Sequence, residues 1–189
     1  NIPGKNLMTV EESSFDAWVK LYRPNENSVN TSISYYLKGG LIIMALDLKI
    51  RNITNGEKSM DDVYKILWNK FKEDGKGIDD TIFQSTCENI AQAELKNIWA
   101  YLNTTIELNI ADYFKPFGLE LKSSYQKQDS EKLGWFGINI KSDSNSIGAL
   151  LSNGPAYNSG LYVNDEIIAI NNHRVSEKTI NEQIKNTLI

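Results

Sequence analysis

One histidine, His173, and one cysteine, Cys87, are all that the 189-residue sequence contains of these types. A lone histidine excludes the H-E-x-x-H pattern, which sets two zinc-binding imidazoles and a general base on one helix face, so no metal site is expected in this chain. A lone cysteine excludes an internal disulfide, and Cys87 is expected to act as a small buried hydrophobe. Lys and Arg number 20 against 24 Asp and Glu, a net charge of -4, and they form no basic stripe that could neutralise successive phosphates. Nucleic acid is therefore not an expected partner. The longest apolar run, residues 41–46, stops at Asp47, far short of the roughly 20 residues that span a bilayer. It reads as a buried helix core in a soluble protein, leaving cytoplasm or periplasm open. The sequence opens at Asn1 without Met or a signal-peptide pattern, so its natural start is expected elsewhere.

What is present is the balance of a folded protein: 41% hydrophobic and 23% charged residues, with four Trp and nine Tyr. The length suits one large domain or two small ones. Residues 9–117 carry the helical period. Thr9 or Ser13 can cap a first helix with Phe15, Trp18, Val19 and Tyr22 at three- and four-residue spacing, a face expected to pack against something. A loop at 23–30 leads to a second helix over 34–52. Gly39 and Gly40 lie inside it, and because glycine costs about 1 kcal/mol relative to Ala there, another element or a ligand is expected to approach the backbone closely. Ser59 caps a third helix with an apolar stripe of Met60, Val63, Tyr64, Leu67, Trp68 and Phe71, closed by Gly75 and Gly77. Asp79 or Asp80 opens the next helix, to about 90; Leu95, Ile98, Trp99 and Leu102 repeat the period, and 110–117 forms a last short turn.

After Pro116 and Gly118 the period changes. Strands are expected at 119–125, 135–140 and 147–151, with a polar linker at 126–132, a helical turn at 155–158 closed by Gly160, and a buried strand at 166–170. Asn171-Asn172 tolerates positive φ and turns the chain tightly into His173-Arg174-Val175, after which Ser176 caps a final helix to about 187. The expected fold class is α+β: a mainly helical unit, 1–117, followed by a small mixed unit, 118–189.

The series Phe136-Gly137-Ile138, Gly154-Pro155-Ala156, Ser159-Gly160-Leu161 and residues 164–171, Asn-Asp-Glu-Ile-Ile-Ala-Ile-Asn, resembles a PDZ domain of the bacterial, permuted type. The resemblance implies a peptide partner. An aromatic-Gly-aliphatic loop offers backbone N–H groups to the peptide's terminal carboxylate, and the next strand accepts the peptide as an added sheet edge. The residues it assigns to the peptide are Phe136, Gly137, Ile138, Asn139 and Ile140, with Ile180 and Ile184 from the last helix. The alternative is that Gly137 marks only a turn, with Trp135 and Phe136 in the core. The family carries a further strand after that helix, so a truncated PDZ unit is expected.

The earlier residues Ser14-Phe15-Asp16-Ala17-Trp18, Tyr22-Arg23-Pro24-Asn25-Glu26-Asn27-Ser28, Ser34-Tyr35-Tyr36-Leu37-Lys38-Gly39, Asp47-Leu48 and Ile50-Arg51 resemble the region after the metal site in glycyl aminopeptidases, zinc enzymes of the gluzincin group. The resemblance implies a parent zinc aminopeptidase that removes small N-terminal residues, Gly or Ala, of which this chain is an inactive C-terminal part with no cofactor of its own. It also implies that Tyr36, from the Tyr-x-Lys-Gly pattern, donates to the developing oxyanion, as a phenol with a pKa of about 10 can near pH 7. The alternative for Tyr36 is core packing; Tyr35 should point about 100° away on the same helix. A different class, a non-catalytic peptide-binding scaffold, stands as the alternative function. The acidic pairs Glu11-Glu12, Asp61-Asp62 and Asp79-Asp80 read as capping charge, His173 as an exposed turn residue, and the Asn-x-Ser/Thr matches at Asn30, Asn52 and Asn103 as chance.

Overall fold

The computed structural model describes residues 2–122 and 135–186. It is α+β, and the chain divides into two compact units, one of residues 1–8, 13–33 and 123–189, the other of residues 9–12 and 34–122. Most of the first 33 residues therefore group with the C-terminal unit rather than with the helices that follow them. The strand expected over 119–125 does not form at 119–122, and its remainder, with the linker at 126–132, lies outside the described residues.

The helical unit is built around one long helix. Helix α1 (Val10–Phe15) begins in it, and its start is a reciprocal cap: Thr9 Oγ1 accepts the Glu12 N–H at 3.1 Å and the Glu12 carboxylate accepts the Thr9 N–H at 2.8 Å. Helix α4 (Tyr35–Ile53) starts at Ser34, whose hydroxyl accepts from the Leu37 N–H. Helices α5 (Met60–Asp74), α6 (Asp80–Ala91), α7 (Lys96–Asn103) and α8 (Ala111–Phe114) all pack against α4. Ile42, Ala45, Leu46 and Ile50 recur every three or four residues on α4 and are buried with Val63 and Leu67 of α5, Cys87 and Ala91 of α6, and Leu95 and Ile98. Each fully buried aliphatic side chain contributes about 1.5–3 kcal/mol. Asp47 ties two helices together: one carboxylate oxygen accepts the Met60 N–H at 2.9 Å, and the other accepts from Arg51 Nε at 2.7 Å. A capping box of Ser59 and Asp62 opens α5, and Gly75 ends it at φ +66°.

Three expectations about this unit need correction. Leu41 and Met44 are exposed, so the run 41–46 is buried on one side only. An added Cβ at Gly39 or Gly40 meets nothing within 4 Å among the described residues, so no packed element explains that pair. Tyr64, Trp68 and Phe71 are exposed while Met60, Val63 and Leu67 are buried, because the stripe is wider than the arc of α5 that touches other helices. Trp68 and Phe71 stack on each other instead, at 5.7 Å.

The second unit contains a 3-10 turn (Pro3–Asn6), the end of α1, α2 (Ala17–Lys20) and α3 (Ser28–Thr31), then the mixed segment. Gly4 lies so close to the backbone of Ser32 that a Cβ would sit 2.6 Å from Ser32 N, and Ser13 Oγ donates to the Ile33 carbonyl at 2.7 Å. The face of Phe15, Trp18, Val19 and Tyr22 is exposed, contrary to expectation, with Phe15 89% exposed; the small residues Ser13 and Ala17 face inward.

Strands β1 (Ile138–Ile140) and β2 (Ile147–Leu150) pair antiparallel, with Ile138 opposite Leu150 and Asn139 opposite Ala149. Strand β1 starts at 138 rather than 135 because Gly137 sits at φ +74°. Helix α9 (Pro155–Asn158) forms where expected, ahead of Gly160 at φ +82°. Strands β3 (Ala169–Ile170) and β4 (His173–Arg174) flank Asn171 and Asn172 at φ +49° and +63°, the left-handed pair of a tight hairpin. The expected buried strand 166–170 is shorter and more open: Glu166 makes a single bridge to Ser146, and Ile168 is exposed. Helix α10 (Ile180–Asn186) begins four residues after Ser176, because Thr179 Oγ1 accepts the Ser176 N–H and holds 176–179 as a turn.

Candidate functional site

The N–H of Leu151 donates to the Gly137 carbonyl at 2.8 Å, and the N–H of Lys141 donates to the Ser146 carbonyl at 3.0 Å. The odd-numbered residues of β1 therefore turn their backbone groups toward β2. By strand alternation, the N–H and C=O of Ile138 and Ile140 lie on the opposite edge, which no described strand occupies. This edge follows directly on Gly137, whose left-handed φ bends the chain ahead of the strand. The bend is held from behind: the Ala156 N–H of α9 donates to the Phe136 carbonyl at 3.0 Å, and Gly154 packs 3.4 Å from where a Gly137 Cβ would lie. A backbone edge open to a further strand, beside a glycine-shaped loop, can take an extended peptide through main-chain hydrogen bonds.

The side chains assigned to the peptide divide into two groups. Phe136, Ile138 and Ile140 are partly buried and pack on Ile147, Leu150 and Ala156, so they support the edge from its core face, while Asn139 is exposed. Ile184 is partly buried, whereas Ile180 is fully buried, a core residue with no surface to offer a ligand. Ile138 and Ile140 thus leave only their backbone groups to the open edge.

Sequence reasoning missed Asn30, which it treated only as a chance Asn-x-Ser/Thr match. Its side chain is buried, with Nδ2 donating to the Leu150 carbonyl at 2.7 Å and Oδ1 accepting the Ser152 N–H at 2.8 Å. An asparagine in a polar loop carries no pattern that announces a partner 120 residues away; only folding brings the two together.

In the helical unit, Tyr36 lies in the first turn of α4 and is 58% exposed, which removes core packing as its role. The Tyr35 and Tyr36 rings do not diverge as expected; their centroids are 4.1 Å apart at 30°. A 100° step separates the Cβ atoms, but long side chains lean along the helix and can still meet. Two residues on, partial burial lowers the Lys38 pKa while the Glu107 charge opposes that shift.

The described residues bring no set of zinc donors together. His173 is exposed in the hairpin with Nδ1 2.9 Å from the Asn171 carbonyl, Cys87 is fully buried with its thiol pushed up to about 11 by desolvation, and no three His, Cys, Asp or Glu gather among the described residues. The acidic pairs cap helices, as Asp79 does by accepting the Ile82 N–H at 2.7 Å.

A glycine-bent loop, a half-paired strand behind it and a short Pro-started helix are the parts that the resemblance to a PDZ domain implies. Comparison with known proteins agrees: residues 124–187 match the PDZ domain, and residues 1–42 match the M61 glycyl aminopeptidase family. The chain is also similar to the crystal structure of an aminopeptidase N family protein from Idiomarina loihiensis, at 25% identity and a TM-score of 0.82. That similarity covers 98% of this chain and 34% of the other, so the chain spans about a third of the length of the solved protein. No curated protein matches. Among the described residues no helix is long and apolar enough to cross a membrane.

Proposed function

We propose that this chain is the peptide-handling part of a zinc aminopeptidase acting on small N-terminal residues, Gly or Ala. In this reading the PDZ unit captures an extended peptide by strand addition at Ile138–Ile140, with the Gly137 loop taking the terminal carboxylate. Tyr36 is the neutral phenol that donates to the oxyanion as the peptide carbonyl becomes tetrahedral. In this reading the metal is held elsewhere in the parent enzyme, no three His, Cys, Asp or Glu gathering among the described residues, and the chain alone binds without cleaving. The edge of β1 beside Gly137, which no described strand occupies, carries the reading.

Amide NMR of the 189-residue chain during titration with peptides tests it. The amide signals of Ile138 and Ile140 should move most, and Asn139, which faces β2, less. Shifts confined to the helical unit, or none at millimolar peptide, would overturn capture at this edge. The donor set favours a second reading, a non-catalytic peptide-binding scaffold. It predicts the same titration but no loss of any peptidase activity when Tyr36 is changed in the longest natural form of the protein.

A further inference from the structure

We propose that Asn30 is a positioning residue for the carboxylate-binding loop, acting through the end of β2. The role rests on the peptide-binding reading above. Asn30 lies in the stretch that matches the peptidase family, yet it belongs to the same compact unit as the PDZ segment. Its amide donates to the Leu150 carbonyl and accepts from the Ser152 N–H, the pair of contacts a neighbouring strand would make on that edge. Leu151, between the two, points its own groups the other way: its N–H holds the Gly137 carbonyl at 2.8 Å and its carbonyl accepts the Gly154 N–H at 3.0 Å. Three residues therefore stand in series, with Asn30 fixing residues 150–152 and Leu151 fixing Gly137 from the far side.

The amide is itself held. Asn27 Oδ1 accepts a second bond from Asn30 Nδ2 at 2.9 Å, so both amide hydrogens are used and the plane of the group is set. A buried amide committed in this way is costly to lose, because Leu150 O and Ser152 N would be left without partners. Asn30 makes none of the proposed peptide contacts. Its effect is on where Gly137 sits when the carboxylate arrives.

Two variants test this, Asn30→Ala and Asn30→Asp; the second keeps the shape and the bond from Ser152 but replaces the donor that faces Leu150. Val175→Ala, at a buried site away from the loop, controls for general destabilisation. Hydrogen exchange is measured at Leu151 and Ala156, whose N–H groups hold Gly137 and Phe136, and at Ile147 of the same strand, which donates to Asp165 instead. A pool of heptapeptides randomised at the last residue is titrated with free and with amidated C-termini. The Asn30 variants should lose protection at Leu151 and Ala156 but not at Ile147, and the preference for the free carboxylate should fall about tenfold. Uniform loss of protection, as in Val175→Ala, or equal weakening of both pools, would overturn the positioning role. If the unaltered chain binds neither pool, the groove reading falls, while the exchange pattern still decides whether Asn30 holds the loop.

Discussion

The rings of Tyr35 and Tyr36 stack at 4.1 Å in the first turn of α4, with the second ring more than half exposed. Stacking depends on the rings and the proposed oxyanion role on one hydroxyl, so the two can be separated. In the parent enzyme, Tyr36→Phe should lower kcat by roughly 10² to 10³ with KM nearly unchanged, and Tyr35→Phe should be close to silent. In the 189-residue chain neither change should alter unfolding stability by more than about 0.5 kcal/mol. Equal kcat losses in both variants would show the wrong tyrosine had been assigned.

Gly4 should not tolerate a side chain. A Cβ there would fall 2.6 Å from Ser32 N and 2.9 Å from Ser32 C, and neither backbone atom can move aside cheaply. Gly4→Ala is expected to cost about 1–3 kcal/mol in urea unfolding, whereas Gly39→Ala, with open space around it, should be neutral or stabilising.

Cys87 should be unreactive while the protein is folded. It is fully buried on α6, and desolvation pushes its thiol up to about 11, so little thiolate exists at pH 8. An aromatic disulfide reagent should titrate no thiol in buffer and one per chain in guanidinium. Rapid labelling in buffer would show that α6 opens readily.

Glu88 should make stability fall in acid. One carboxylate oxygen accepts the Leu95 N–H at 3.0 Å and the Trp99 Nε1–H at 2.9 Å, and these bonds, the backbone one foremost, hold its pKa below the ordinary value of 4.5. A group with a depressed folded pKa adds stability that is complete above its unfolded pKa and lost as pH falls through the folded one. Between pH 6 and pH 3 the unaltered chain should therefore lose more stability than Glu88→Gln, measured by denaturant midpoints. Parallel curves would show that the two bonds do not depend on charge.

The sequence was most readable where the signal is local. Ser59 and Asp79 each cap the helix expected of them, Gly75 closes one, and the Asn171-Asn172 turn has the left-handed pair its residue types allow. The α+β class followed from those signals, and Gly137 turns the chain ahead of a strand, as its residue type allows. Aromatic spacing was less reliable: Phe15, Trp18, Tyr64 and Trp68 carry a helical period, yet they face solvent while Ser13 and Ala17 are turned inward. Periodicity reports which residues share a face, and burial depends on what arrives to cover it.

By itself, the sequence determined the caps at Ser59 and Asp79, the Asn171-Asn172 turn and the absence of a histidine pair, because each depends on residues within a few positions of one another or on composition alone. Only the tertiary structure decided that residues 13–33 join the PDZ segment, that Ile180 is core and not groove, and that Asn30 stands in for a strand beside β2. Those outcomes depend on contacts between residues as far as 122 positions apart, and the free energy of such a contact is set by the partner that folding supplies, which neither residue type nor spacing encodes.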